Sequence, residues 1–210
     1  AEQMTTLMNS MKMIHTLSRH YGSEVRMTNM FQRITNQLIV RCKHFIYQGK
    51  NQKILWEADP TKVISMMTDS IRLCKAYRAK YDETKEKLAR MPMGNQFNFD
   101  CTVIFGKFDE FSQRLEKLID MFSSIQQFRD LKGKNIDGMD SLVGKFDQLV
   151  NDFRLKGHDL LDFTKTAFER DFVEFTMHNS GLENAIQDFM ETSLAKMSNI
   201  EKKLLLMAKF

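Results

Sequence analysis

Two long stretches of this chain repeat apolar residues at alternating spacings of four and three, and this feature restricts the fold most. Residues spaced in this way fall on one narrow face of an α-helix, whereas a strand requires strict alternation. The pattern therefore predicts two long helices that pack along apolar seams. The first seam comprises Ile104, Phe108, Phe111, Leu115, Leu118, Phe122 and Ile125, and the second Phe168, Phe172, Phe175, Asn179, Leu182, Ile186 and Phe189.

Helical spacing also extends over four other segments of the chain. Ser23 is suited to cap a helix N-terminus, and Asp59 with Pro60 forms a typical helix start because proline fits the first turn. Asn179 occupies a seam position, where a buried amide must find a hydrogen-bond partner. The four further helices are predicted from Thr5 to His20, from Ser23 to Gly49, from Asp59 to Arg90 and from Met139 to Phe153.

The loop around Pro92-Met93-Gly94 divides the chain where its charge changes sign. Residues 1–95 contain 16 Lys and Arg against 8 Asp and Glu, a net charge of +8, and residues 96–210 contain 15 against 19, a net charge of −4. We therefore predict an all-α fold of about six helices, four of them long. They are expected to form two elongated antiparallel bundles stacked end to end, the basic residues 1–95 and the acidic, heptad-patterned residues 96–210.

The residues that could carry out chemistry do not combine into a recognisable site. His15 and His20 are five apart and do not share a helical face, and Cys42 and His44 point in different directions on one helix. Gly106-Lys107 and Gly144-Lys145 each lack the upstream Gly and the following Ser or Thr of a phosphate-binding loop. We predict no catalytic, cofactor or metal site and no enzyme activity. The carboxylates of Asp159, Asp162, Glu169, Asp171 and Glu174 are interpreted as a solvated flank.

Composition also bears on compartment and on partners. Three cysteines without a C-x-x-C pair favour reduced intracellular thiols. No apolar run approaches the roughly 20 residues of a membrane span. The basic half lacks a base-reading motif, so nucleic acid is not expected as a partner. The start Ala1-Glu2-Gln3-Met4 indicates a piece of a longer chain.

Methionines and charged residues outside the seams are the candidates for partner contact. Met8 and Met13 lie off the apolar stripe of the first helix, and methionine adapts well to partner surfaces. Lys107 and Arg114 lie between seam positions and are expected to be exposed. Both seams could pair with another subunit, but the short connections favour packing within the chain. The stripe of the first helix consists of Leu7, Met11, Ile14 and Leu17.

Several long motifs resemble one family over residues of about 25 to 190. They are Trp56-Glu57-Ala58-Asp59-Pro60, Val103-Ile104-Phe105-Gly106-Lys107-Phe108-Asp109-Glu110-Phe111 and Phe168-Glu169-Arg170-Asp171-Phe172-Val173-Glu174-Phe175. The chain resembles the N-terminal tail of axonemal dynein heavy chains, in particular the outer-arm class related to the gamma chain. It departs from the family pattern at Gly157-His158-Asp159, where a proline and an aromatic residue would precede the aspartate.

The resemblance implies a stem segment of a motor protein, without the family's ATPase ring and microtubule-binding stalk. Such a segment would be a non-catalytic helical scaffold that transmits force in the cytoskeleton of a cilium or flagellum. Its implied partners are other dynein heavy chains, intermediate and light chains, the docking complex and the axonemal doublet microtubule. The alternative is an adaptor that contacts an acidic surface, such as tubulin or an anionic membrane, through its basic half.

Overall fold

In the computed structural model, residues 2–18, 20–50, 53–90, 96–134 and 136–208 are described, and every regular element among them is an α-helix. The predicted all-α fold is thereby confirmed. None of these helices is both long and apolar enough to cross a membrane. The helices are α1 (Glu2–Leu17), α2 (Glu24–Tyr47), α3 (Ile54–Glu57), α4 (Pro60–Ala89), α5 (Cys101–Gly133), α6 (Asp140–Leu155), α7 (Ala167–Lys196) and α8 (Ile200–Met207).

Two short helices supplement the six that the sequence predicts. Helix α3 has only four residues, too few to show a helical period. Helix α8 is separate from α7, and Asn199 starts it because its Oδ1 accepts a hydrogen bond from the Glu201 N–H at 2.8 Å. The predicted helix end at Pro92 and Gly94 lies outside the described residues.

The predicted starts of α2 and α4 are confirmed. Ser23 is the N-cap residue of α2, and Pro60 is the first residue of α4. Asp59 caps α4, since its Oδ2 accepts a hydrogen bond from the Lys62 N–H at 3.3 Å. Helix α2 ends where Gln48 adopts a left-handed φ of 52° and Gly49 follows at 69°, so these two residues turn the chain out of the helix.

Gly22 is required between α1 and α2 because the backbone comes very close to itself there. Its N–H donates to the Ser18 carbonyl at 2.9 Å. A Cβ at this position would lie 2.7 Å from the carbonyl oxygens of both His15 and Ser18, a distance that no side chain tolerates.

The chain forms two compact units, each made of two separate stretches. Unit 1 comprises Ala1–Asn51 and Ser65–Glu116, and unit 2 comprises Gln52–Ile64 and Lys117–Phe210. Helices α4 and α5 therefore contribute residues to both. The sequence-based division into two bundles, residues 1–95 and 96–210, stays a prediction.

Aromatic side chains dominate the core of unit 1. The rings of Phe31 and Tyr81 meet edge to face at 5.2 Å. Phe97 precedes α5 in a non-helical stretch, yet it is buried against both rings, with centroid distances of 5.7 and 5.6 Å. The buried Thr35 hydroxyl donates to the Ile104 carbonyl at 2.9 Å, which ties α2 to the first turn of α5.

Unit 2 has its own aromatic core. Phe128 of α5 and Phe146 of α6 stack in parallel with their ring centroids 3.7 Å apart. Phe153 of α6 contacts Phe175 of α7 at 5.6 Å and Trp56 of α3 at 6.2 Å. These contacts join four helices around one apolar centre. A smaller cluster of Ile136, Met139 and Val143 packs against α7 and α8 through Ile186, Phe189 and Leu206.

We expect Phe111→Ala and Leu115→Ala each to lower the free energy of unfolding by about 2 to 5 kcal/mol, since both side chains are fully buried. Urea unfolding of the 210-residue chain, followed by circular dichroism, measures this change. Lys107→Ala is the control, because an exposed side chain on the same helix should change stability by less than about 0.5 kcal/mol. Wild-type stability of Phe111→Ala would refute the core assignment.

Candidate functional site

A groove of about 590 Å³ lies between α6 and α7 in unit 2. We call it the α6–α7 groove. Its rim carries charged side chains from both helices, including Lys145 and Asp152 of α6. An apolar floor with a charged rim is the usual form of a site that receives another protein segment. The floor consists of Leu149, Phe153, Phe175 and Leu182.

Gly181 keeps part of this groove open. It lies in the interior of α7, where glycine costs about 1 kcal/mol relative to alanine. A Cβ at this position would meet no other atom within 4 Å, so packing among the described residues does not require a glycine. The absent side chain leaves open space in the groove at this position.

A charged cluster closes one end of the groove. Gly157 adopts a φ of 66° after α6, and this turn brings His158 against α7. His158 Nε2 lies 2.7 Å from Asp171 Oδ2. Lys156 Nζ lies 3.2 Å from the other carboxylate oxygen of Asp171 and 3.0 Å from Glu174 Oε2. The cluster thus links the loop after α6 to the first turns of α7.

These contacts favour the charged forms of Asp171 and Lys156. The hydrogen bond from His158, assisted by Lys156, lowers the pKa of Asp171 despite its burial. The hydrogen bond to Glu174 in turn raises the pKa of Lys156. Asp171 was interpreted as part of a solvated flank, and this is wrong because His158 and Lys156 cover its carboxylate.

The geometry supports positioning rather than catalysis. A His–Asp pair serves nucleophilic catalysis when a Ser, Thr or Cys lies next to the imidazole, and none lines the α6–α7 groove. Within the described ranges, no group of three or more His, Cys, Asp or Glu side chains could hold a metal ion. The rings of Phe153 and Phe168 flank His158 at 5.7 and 5.9 Å, which fixes the imidazole in place.

The predicted seam residues lie along two helices. Every seam residue of α5 from Ile104 to Phe122 is at most 3% exposed. In α7, Phe168, Phe175 and Asn179 are buried, whereas the other four seam side chains are half-buried. The half-buried group consists of Phe172, Leu182, Ile186 and Phe189.

Of the four predicted contact residues, two are exposed and two are buried. Met13 is 59% exposed and Lys107 is exposed, so both are accessible to a partner. The expected exposure of Arg114 is wrong, because other helices cover α5 over a face wider than one seam and leave this side chain 1% exposed. Met8 is likewise only 1% exposed, so its side chain lies in the core and not on the surface.

The burial of Met8 follows from the orientation of α1. The buried side chains of this helix are Met8, Met11 and His15, while Leu17 is 73% exposed. The His15 ring packs edge to face on Phe97 at 5.3 Å, and this contact directs the face of α1 that carries Met8, Met11 and His15 towards the core. Burial lowers the pKa of His15, which favours the neutral ring at this position. A histidine does not count as apolar in a periodicity pattern, so the sequence alone missed this face.

The fold and its grooves define the chain as a helical-bundle protein. The family described as "Dynein heavy chain, N-terminal region 1" matches residues 1–210, and the chain belongs to this family. The family predicted from the motifs is thereby confirmed. The chain is 39% identical over 210 residues to the dynein gamma chain of the flagellar outer arm of Chlamydomonas reinhardtii.

Mammalian heavy chains are similar to this chain over the same length. Identity is 33% over 210 residues to human dynein axonemal heavy chain 8 and 32% over 209 residues to rat dynein axonemal heavy chain 5. Each comparison covers the whole of this chain but only 5 to 6% of the heavy chain. The similarity thus concerns a small N-terminal part of much longer proteins.

Asp171→Asn should destabilise the chain by about 1 to 3 kcal/mol at neutral pH, because it removes a buried charged partner of His158 and Lys156. The pKa of Asp171 is lower in the folded state, so its contribution is present above the unfolded pKa of about 4 and is lost as the pH falls below it. Urea unfolding between neutral and acidic pH measures both effects.

Asp152→Asn is the matched control for this prediction, because Asp152 lines the same groove but is exposed. It should change stability by less than about 0.5 kcal/mol. Equal effects of the two substitutions would show that the cluster does not stabilise the α6–α7 connection.

Proposed function

We propose that this chain is a non-catalytic stem segment of a ciliary dynein heavy chain and acts there as a helical scaffold. The observation that carries the proposal is the match of all 210 residues to the N-terminal region of dynein heavy chains. Relatives named for the flagellar outer arm and for the axoneme support an axonemal location within the cytoskeleton.

The proposed partners are other dynein heavy chains, intermediate and light chains, the docking complex and the doublet microtubule. Long helices with tightly packed cores suit a segment that transmits force, because bending them would disturb many packed side chains together. Candidate contact surfaces are the α6–α7 groove and the exposed side chains of Met13 and Lys107. We further propose that residues 1–95 and 96–210 form separate bundles, which limited proteolysis can test.

Gly181→Trp tests the scaffold function in the full-length heavy chain. The indole would fill the α6–α7 groove without meeting atoms of its own chain at the Cβ. We expect the motor to hydrolyse ATP normally, whereas fewer intermediate chains co-purify and fewer outer arms are seen by electron tomography of axonemes. Lost ATP hydrolysis with normal arms would contradict a non-catalytic scaffold.

Gly144→Trp is the matched control for Gly181→Trp. Gly144 is also an exposed glycine inside a helix of unit 2, a Cβ there would also meet no atom within 4 Å, and it does not line the groove. It should assemble like the wild type. Equal assembly defects in both variants would show that the groove is not the cause.

The basic adaptor is the second candidate function, and the charge of unit 1 favours it. This unit contains 16 Lys and Arg against 10 Asp and Glu, a net charge of +6. An adaptor that binds tubulin by charge should lose affinity strongly between about 0.01 and 0.15 M ionic strength, as the screening length falls from about 30 to 8 Å. Co-sedimentation of the 210-residue chain with microtubules measures this, and salt-independent binding would exclude it.

A further inference from the structure

A second groove, of about 330 Å³, lies between α2 and α4 within unit 1. We call it the α2–α4 groove. The two helices are antiparallel, because Phe31 contacts Tyr81 whereas Gln48 Nε2 lies 3.4 Å from Met66 Sδ. The residues that line the groove are Arg41, Cys42, Phe45, Asp69, Ser70 and Leu73.

The groove is open because its floor is built from small side chains. Cys42 and Ser70 are both 3% exposed, and the Ser70 hydroxyl donates back to the Met66 carbonyl at 2.9 Å. The larger Phe45 and Leu73 stand on either side and are 50% and 37% exposed. Two large apolar side chains that flank a concave floor can receive an apolar side chain from another helix.

The two floor side chains, Cys42 and Ser70, form hydrogen bonds within unit 1, which leaves shape and charge to determine what the groove accepts. A hydrogen bond joins Cys42 to the buried Cys74 of α4; this bond and burial raise the pKa of Cys74, whereas the same bond lowers the pKa of Cys42. The Ser70 hydroxyl is engaged by its own helix.

Charge at the rim indicates which kind of helix fits. Within the described part of the chain, Arg41 forms no ion pair, whereas Asp69 is neutralised by Arg72 at 2.8 Å. The unpaired charge at the groove is therefore positive, and unit 1 as a whole has a net charge of +6. Half-buried Ile34 and Leu38 continue the apolar stripe of α2 on the same side as Arg41 and Phe45, so the surface spans about three helical turns.

We propose that the α2–α4 groove binds an acidic amphipathic helix of a partner protein. An apolar side chain of that helix inserts between Phe45 and Leu73, and an Asp or Glu within one turn of it pairs with Arg41. Arginine and carboxylate form a two-pronged hydrogen bond that fixes the register of the bound helix. This proposal specifies the chemical character of one partner of the helical scaffold, and it rests on the scaffold function proposed above.

A photo-crosslinker at the groove identifies the occupant directly. Leu73→p-benzoylphenylalanine is introduced into the full-length heavy chain, the native dynein complex is isolated and irradiated, and mass spectrometry locates the crosslinked peptide. We expect one protein segment with helical apolar spacing and an Asp or Glu within a turn of the crosslinked residue. Ala79→p-benzoylphenylalanine is the control, since Ala79 is exposed on α4 but does not line the groove.

Charge reversal at the rim tests the role of Arg41. Arg41→Glu should reduce the yield of this crosslink by about tenfold or more, and Arg41→Lys should reduce it much less, because lysine keeps the charge and loses only the two-pronged bond. Arg90→Glu is the matched control. It makes the same change of charge on unit 1, about 25 Å from Leu73 along the helix, and should leave the crosslink yield unchanged.

Several outcomes would overturn the proposal. One is a crosslink to lipid, to a second copy of this chain or to a segment without carboxylates. Another is an equal crosslink yield from Arg41→Glu and Arg90→Glu. A complex that keeps its subunits but gives no crosslink from Leu73 refutes the groove and leaves the scaffold function standing. A heavy chain that is isolated from axonemes without other subunits refutes the scaffold function itself.

Discussion

Burial of the wide apolar face of α5 is the interaction on which the rest of this structure depends. From Ile104 to Phe128 this helix buries side chains at nearly every turn, and its residues belong to unit 1 up to Glu116 and to unit 2 beyond it. A seam of two positions per heptad would suffice for one partner helix. The broader face of α5, which includes Arg114, lets several helices pack on it within each unit.

Polar groups in these cores are placed so that they select one arrangement. Thr35 can bond the Ile104 carbonyl only when α2 and α5 lie in register. In unit 2 the buried Asn179 amide donates from its NH2 group to Ser124 Oγ at 3.1 Å and to Glu183 Oε1 at 2.8 Å, whereas its Oδ1 has no partner among the described residues. An unsatisfied buried polar group costs about 1 to 3 kcal/mol, and shifted registers are penalised accordingly.

The sequence predicts helix starts and buried helix faces, which depend on residues close together in the chain. It fails to predict side-chain environments that depend on residues far apart in the chain. Asp59 with Pro60 starts a helix by local chemistry, and the three-four spacing of α5 identifies its buried face. Asp171 was misjudged because its environment is created by a left-handed turn at Gly157 that brings His158 onto it. Phe97 lies in a segment without periodicity, so only the folded chain reveals that it fills the core of unit 1. The two grooves depend on small residues, Gly181 in one and Cys42 with Ser70 in the other, whose importance a periodicity pattern does not show.

Amide hydrogen exchange of the 210-residue chain, read by mass spectrometry, tests most directly whether the buried face of α5 supports both units. The amides of α5 from Ile104 to Phe128 should be among the slowest to exchange, because they are released only when a whole unit unfolds. The amides of α8, which has no buried residue, should exchange much faster. Exchange in α5 that is as fast as in α8 would contradict the account, since the buried face of α5 would then not be the element that holds each unit together.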